Sequence, residues 1–315
     1  MAHALELAGS NVVLKPHSKL TFRKGTYTYV VETSGDGSTY TVTDGTNSIS
    51  APIKWGFGAN SQTWMLEYGG RSYESLVSYY PGANGLDITM GDQEIEPKTL
   101  LEAFGRELRK EEVTACFHCH ATNAVSEYRL ELNSMKAGVS CERCHEGAAK
   151  HFEAISRGSL ESVPPKLKRI SSEEMSNFCG QCHRSFATVV GELRMRGVVT
   201  VRFQPYRLAM SKCFDGSDAR ISCVACHDPH QEVVRDQKSY DSKCLACHSG
   251  STTAALKTIS ATRAHAAATP VAKACPVANS GCVSCHMPKV NLPGSHMTFS
   301  DHYIRVVREN EPFPN

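Results

Sequence analysis

The sequence predicts an α+β chain. An antiparallel β module in residues 1–95 precedes residues 96–315, a segment of short helices and long loops with little regular structure. Three observations carry this. Residues 1–95 lack cysteine, and from Lys19 to Tyr80 β-branched and aromatic residues alternate with polar ones. Turn signals recur at Ser34-Gly35-Asp36-Gly37, Asp44-Gly45 and Gly69-Gly70. From residue 116 onward the pattern Cys-x-x-Cys-His occurs six times.

The β elements follow from the turns. Thr26–Val31 and Thr39–Val42 flank the first turn, Ile49–Ile53 is the second arm of the next hairpin, and Thr63–Tyr68 and Arg71–Tyr80 flank the third. Lys98–Glu112 reads as a helix, because Leu100, Leu101, Phe104 and Leu108 fall on one face at helical spacing. Beyond it, each Cys-x-x-Cys-His is expected to begin or occupy a short helix. Successive first cysteines are 25, 38, 44, 21 and 38 residues apart, too irregular for a solenoid.

The six motifs are Cys116–His120, Cys141–His145, Cys179–His183, Cys223–His227, Cys244–His248 and Cys282–His286. This pattern attaches haem c: two thiols add to the haem vinyl groups, and the adjacent His reaches the iron from the same turn. The candidate anchors are Cys116, Cys119, Cys141, Cys144, Cys179, Cys182, Cys223, Cys226, Cys244, Cys247, Cys282 and Cys285. The candidate proximal ligands are His120, His145, His183, His227, His248 and His286. Zinc ribbons also use Cys-x-x-Cys, but they need no His after each pair and would leave six histidines idle. A disulfide framework suits a short chain with distant partners, not local pairs in 315 residues.

Composition bounds the rest. Only 41% of residues are hydrophobic. Six haem c groups within the 171 residues from Cys116 to His286 would supply much of the apolar interior, so folding there is expected to depend on the cofactor. The formal charge is +2; six ferric haems with their propionates bring it to roughly −4. Basic residues are dispersed, which argues against a nucleic-acid partner. No segment is long and apolar enough to span a bilayer, so an integral membrane protein is not expected. Met1 to Leu20 has no basic stretch followed by an apolar one. Haem c is attached outside the cytoplasm, so the expectation is an exported protein, periplasmic, outer-surface or extracellular, whose leader is absent from this sequence.

Eight histidines remain for the sixth iron positions, enough for mostly bis-His, low-spin, low-potential haems. The candidates are His151, His230, His296, His302, His3 and His17. His118 lies inside the first motif and His265 in an alanine-rich loop, and neither is assigned. Among the methionines, Met287 follows its own proximal ligand, Met210 and Met297 remain open as axial options, and none is assigned because most methionines fill cores. Cys213 and Cys275 lie outside all motifs, and a disulfide between them is expected in an oxidising compartment.

The runs Cys141-Glu142-Arg143-Cys144-His145 with His151, Cys223-Val224-Ala225-Cys226-His227-Asp228-Pro229-His230, and Cys282-Val283-Ser284-Cys285-His286-Met287-Pro288-Lys289 carry a resemblance, as does the tail Ser300-Asp301-His302-Tyr303-Ile304-Arg305. Across roughly residues 50–308 the chain resembles the large multihaem cytochrome c family with doubled Cys-x-x-Cys-His motifs, whose members are often fused to tetratricopeptide repeats or grouped with the tetrahaem cytochromes of ammonia oxidisers. No such repeats occur here. The resemblance implies His230, His296 and His302 as ligands. Family members commonly carry a further motif just before a Met-Ala-His-like stretch, so the resemblance implies an upstream start with a signal peptide before Met1-Ala2-His3 and leaves open whether a seventh haem site lies there.

Three functions follow as expectations. The first is non-enzymatic electron transport through six haems, with redox proteins or an extracellular electron acceptor as partners. The second is a reductase of a small nitrogen or sulfur oxyanion, which needs one five-coordinate haem; Cys-x-x-Cys-Lys is absent, and Tyr303, Arg305 or Tyr206-Arg207 would have to line its pocket. The third is a homo-oligomer or extracellular haem filament in which the β module docks neighbours.

Overall fold

Short antiparallel hairpins build the first third of the chain. The computed structural model describes residues 1–35, 37–159, 163, 170–248 and 274–314. Strands β1 (Leu5–Leu7), β2 (Lys19–Lys24), β3 (Tyr27–Ser34), β4 (Gly37–Thr43), β5 (Ser48–Pro52), β6 (Trp55–Phe57), β7 (Thr63–Tyr68), β8 (Arg71–Ser75), β9 (Val77–Tyr80) and β10 (Gly85–Ile88) run in order. They form a four-stranded sheet, β2-β3-β4-β5, a five-stranded sheet, β1-β6-β7-β8-β11, where β11 is Gly105–Glu107, and a separate β9-β10 pair. All three expected hairpins are present. Ser34 pairs with Gly37 across the first turn, Thr43 with Ser48 across the second, and Tyr68 with Arg71 across the third. Gly69 and Gly70 both have positive φ, 57° and 76°, which a two-residue hairpin turn of this hand requires. Asp36 of the first turn lies outside the described residues.

Alternation sets what is buried. Tyr29 and Val31 on β3 stand opposite Val42 and Tyr40 on β4, and all four are buried. They meet Trp64, Tyr73 and Phe104 in one core, with Tyr40 and Phe104 edge-to-face at 5.5 Å. The Tyr40 hydroxyl donates to the Phe104 carbonyl (3.1 Å), so the deeply placed tyrosine keeps its hydrogen bond.

The expected helix over 98–112 is broken. The chain forms α1 (Leu100–Phe104), turns out at Gly105 to add β11 to the edge of β8, and restarts as α2 (Lys110–His120). The reason is local. A Cβ at Gly105 would collide with the Glu74 carbonyl, so only glycine allows this backbone approach. The β sheet thus continues past residue 95.

Contacts divide the chain into two compact units, Met1–Lys168 with Pro293–Met297, and Arg169–Leu292 with Thr298–Asn315. The first contains the four- and five-stranded sheets, α2 and α3 (Ala148–Ser156), and with them the first two motifs. A second core lies between the five-stranded sheet and α2: Leu5, Met65, Leu108, Phe117, Ala121 and Ala124. Phe117, the residue after Cys116, is fully buried against Trp55 (5.6 Å) and Phe57 (5.3 Å). The second unit is built from short helices and loops: α4 (Ser172–His183), α5 (Gln204–Ala209), α6 (Cys223–Cys226), α7 (Asp241–His248) and α8 (Cys282–His286).

Candidate functional site

Helical turns present the six motifs. Cysteines at i and i+3 and a histidine at i+4 share one helix face, which gathers two thiols and one imidazole on the same side. The motifs begin or occupy short helical segments, as expected, and do so in three ways. The first, third and fifth close α2, α4 and α7, the fourth and sixth form the short helices α6 and α8, and the second sits on a 3-10 turn at Cys141–Arg143. Upstream caps place the first group. The Glu112 carboxylate accepts from the Arg109 N–H (2.9 Å) at the start of α2. Ser171 and Glu174 exchange hydrogen bonds at the start of α4. Asp241, the first residue of α7, caps α8 instead: its carboxylate accepts from the Gly281 N–H (2.7 Å) and the Cys282 N–H (2.8 Å), and so ties the fifth motif to the sixth. These two bonds hold its carboxyl below the usual range.

Several proximal candidates are held in one tautomer. A carbonyl oxygen can only accept, so a ring nitrogen facing it must carry the proton. His120 Nδ1 lies 2.8 Å from the Ala4 carbonyl, and His286 Nδ1 lies 2.9 Å from the Arg305 carbonyl. Nε2 of each is left as a lone-pair donor, the arrangement that orients metal-binding histidines. His227 reaches the same state through Tyr240. The one hydroxyl proton of Tyr240 goes to the Val234 carbonyl (2.9 Å), so its long contact with His227 Nδ1 (3.4 Å) has the imidazole as donor. Burial lowers the pKa of both His120 and His227 and favours the neutral ring.

All fourteen cysteines lie among the described residues and none is in a disulfide. Burial pushes the Cys116 thiol up to about 11. A hydrogen bond with Cys179 lowers Cys223, so the first thiols of the third and fourth motifs meet. Cys282 is pushed up to about 11 by burial, Asp241 and Cys244, and the first thiols of the fifth and sixth motifs meet likewise. Cys213 and Cys275 are both exposed and unbridged, so the expected disulfide is absent. Cys275 is instead bound locally by the N–H groups of Val277 and Ala278.

The distal candidates differ in which nitrogen they offer. His302 Nδ1 donates to the Ser300 carbonyl (3.0 Å), and burial pushes the imidazole down to about 4, leaving a neutral ring with Nε2 open to a metal. His3 Nδ1 is held by the buried Glu6 carboxylate (2.7 Å), which also leaves Nε2. His151, on α3, has a buried Nδ1 with no hydrogen-bond partner. His17 and His296 are different: Nε2 of His17 meets the Tyr79 hydroxyl (3.0 Å), and Nε2 of His296 meets the Asp87 carboxylate (2.6 Å). Either would offer Nδ1 or exchange that partner. His230 is exposed, with Nδ1 3.2 Å from Asp228. His118 accepts from Arg143 (3.1 Å), and His265 lies outside the described residues.

Beside the third motif, Cys182 and His183 line a cavity of about 450 Å³ with Leu193, Met195, Phe203, Arg184 and Arg202. Apolar walls with two guanidinium groups suit a flat apolar ring that carries carboxylates. This cavity, the unbridged thiol pairs and the orphaned Nδ1 of His151 together fit haem c.

The structure gives another role to three residues that the sequence offered as the lining of a reductase pocket, Arg207, Arg305 and Tyr206. Arg207, fully buried, makes a bidentate pair with the equally buried Asp301 and donates to the Pro314 carbonyl (2.8 Å). Arg305 adds a second cation to Asp301 at 2.7 Å. Tyr206 is buried against Phe186. These side chains are committed to packing and to each other. Asp301 had no role assigned from the sequence, and the one legible signal for it was that it directly precedes a candidate ligand.

No curated protein and no solved structure matches the chain. Residues 91–146, which take in the first two motifs, match the family described as cytochrome c554 and c-prime. This match supports a c-type cytochrome with covalently bound haem c and an electron-transfer role.

Proposed function

We propose that this protein carries electrons along six haem c groups, one on each Cys-x-x-Cys-His motif. The observation that carries the reading is the motif itself: six thiol pairs, each followed by a histidine, with Nε2 left free wherever a carbonyl holds Nδ1. Haem c, when bound, supplies a one-electron ferric/ferrous couple. The protein's residues do the rest. Twelve cysteines anchor, six histidines ligate, and His3, His17, His151, His230, His296 and His302 compete for the distal positions. Arg184 and Arg202 suit carboxylates beside the third motif. The β-rich segment up to residue 95 carries no anchor and buttresses α2 through Phe117 and its neighbours.

The division of labour is therefore a haem-free β module and a hexahaem remainder. No described helix is long and apolar enough to cross a membrane. Export follows from the chemistry of haem attachment, and the partners are redox proteins or an extracellular electron acceptor. Of the side chains that a reductase pocket would need, Arg207, Arg305 and Tyr303 are tied into the Asp301 cluster, and Tyr206 packs on Phe186. Intact mass of the protein matured in cells with haem-attachment machinery tests the proposal. Six haems per chain are expected; a haem-free chain that binds zinc would refute it.

A further inference from the structure

His227 belongs to the fourth motif and His302 to the C-terminal segment, 75 residues later in the chain. Their ring centroids lie 6.2 Å apart. A metal–imidazole bond is about 2 Å, and a ring centre lies about 1 Å behind its nitrogen, so two imidazoles on opposite faces of one metal have centroids about 6 Å apart. Both rings have Nδ1 committed as a donor, His227 to Tyr240 and His302 to the Ser300 carbonyl, so each keeps Nε2 for a metal. The geometry points to His227 and His302 as the two axial ligands of one iron, that of the fourth motif, with Arg207 as the positioning residue that holds His302. The inference rests on the haem c reading above.

The segment around His302 is fixed from both sides of the ring. Arg207 Nε and Nη2 lie 2.8 and 2.9 Å from the two oxygens of Asp301. The Arg305 guanidinium binds the same carboxylate. Ser211 Oγ accepts from the Ile304 N–H (2.8 Å) and donates to the His302 carbonyl (3.3 Å). His302 therefore sits between two anchored residues, and its Nδ1 is bonded to its own chain. An imidazole held this firmly loses little rotamer freedom on ligation. His183, of the third motif, is also near His302, so its iron is the competing assignment.

The test compares backgrounds. In the six-haem protein, His302→Ala is expected to convert one iron per molecule from low-spin to high-spin in electron paramagnetic resonance, and added imidazole should reverse it. In a five-haem background lacking the fourth attachment site, Cys223→Ala/Cys226→Ala, His302→Ala should add no high-spin signal. In the background lacking the third, Cys179→Ala/Cys182→Ala, it should add the full signal. The opposite pattern overturns the pairing, and so does an unchanged spectrum in the six-haem variant. Haem count by mass is read separately, so failure of the haem reading itself would be recognised there.

If a five-haem variant does not fold, Tyr240→Phe replaces it. Removing the hydroxyl beside His227 should alter the rhombicity of the His302→Ala high-spin signal, and an identical signal would refute the pairing. For the positioning role, Arg207→Met should produce a partial high-spin signal that imidazole reverses with haem count unchanged. A fully low-spin spectrum would remove Arg207 from that role.

Discussion

Arg207 and Asp301 form a two-bond ion pair in which neither side chain has any exposed surface. Arg207 also stacks over Phe313 (4.3 Å) and Tyr303 (5.4 Å), so its desolvation is offset by rings as well as by charge. The pair binds α5 to the C-terminal segment that carries His302.

Breaking that pair from one side leaves a buried charge. Arg207→Met should destabilise the holoprotein by roughly 3–5 kcal/mol, the usual cost of orphaning one partner of a buried pair. Because Arg305 still neutralises Asp301, the loss should fall at the lower end. Denaturant unfolding measures it. The double variant Arg207→Met/Asp301→Leu should recover part of the loss, since an apolar pair leaves no uncompensated charge.

Phe117 couples the β module to the first motif. Phe117→Ala removes a ring packed edge-to-face on Trp55 and Phe57 and should cost about 3–5 kcal/mol. Thermal unfolding followed by circular dichroism would detect it, and a loss well under 1 kcal/mol would show that this core is not tightly packed.

Gly105 is the hinge between α1 and β11. Gly105→Ala would press a methyl group onto the Glu74 carbonyl and should destabilise by roughly 1–3 kcal/mol through displacement of the edge strand. Chemical unfolding of the variant checks this.

Glu112 gives the first unit an acid sensitivity. The Arg109 N–H, then the Arg106 guanidinium, hold its carboxyl down to about 2 against an ordinary 4.5. A depressed carboxyl contributes stability that is complete above its unfolded value. That contribution is lost as pH falls from about 4.5 to about 2. Glu112→Gln should lower stability at neutral pH and flatten the pH dependence over that window. Urea unfolding at several pH values would show whether the slope changes.

How much was legible in the sequence depended on distance along the chain. The three hairpins were, because turn residues and alternation act over a few positions and set the register. Strands β1 and β11 were not: each is three residues long and is stabilised by a distant partner, Leu5 opposite Phe57 and Gly105 opposite Ser75. The helix expected over 98–112 failed because the apolar spacing of Leu100, Phe104 and Leu108 continues across a break that only Gly105 reveals.

The six motifs were legible for the same local reason, since thiols and imidazole share one turn. What orients the imidazoles was not. The carbonyl that holds His120 is 116 residues away, and the one that holds His286 is 19 away. Likewise, that His227 faces His302 is a property of the fold and of the Arg207–Asp301 pair, with no trace in spacing. The expected bridge between Cys213 and Cys275 rested on an even count alone, and count says nothing of proximity.

The measurement that tests the central claim most directly is electron paramagnetic resonance of the oxidised holoprotein. An electron carrier with every iron position filled by the chain's own side chains should give low-spin signals alone. A high-spin signal equivalent to one iron per molecule would contradict that account, because an iron with an open position is the requirement for reductase chemistry.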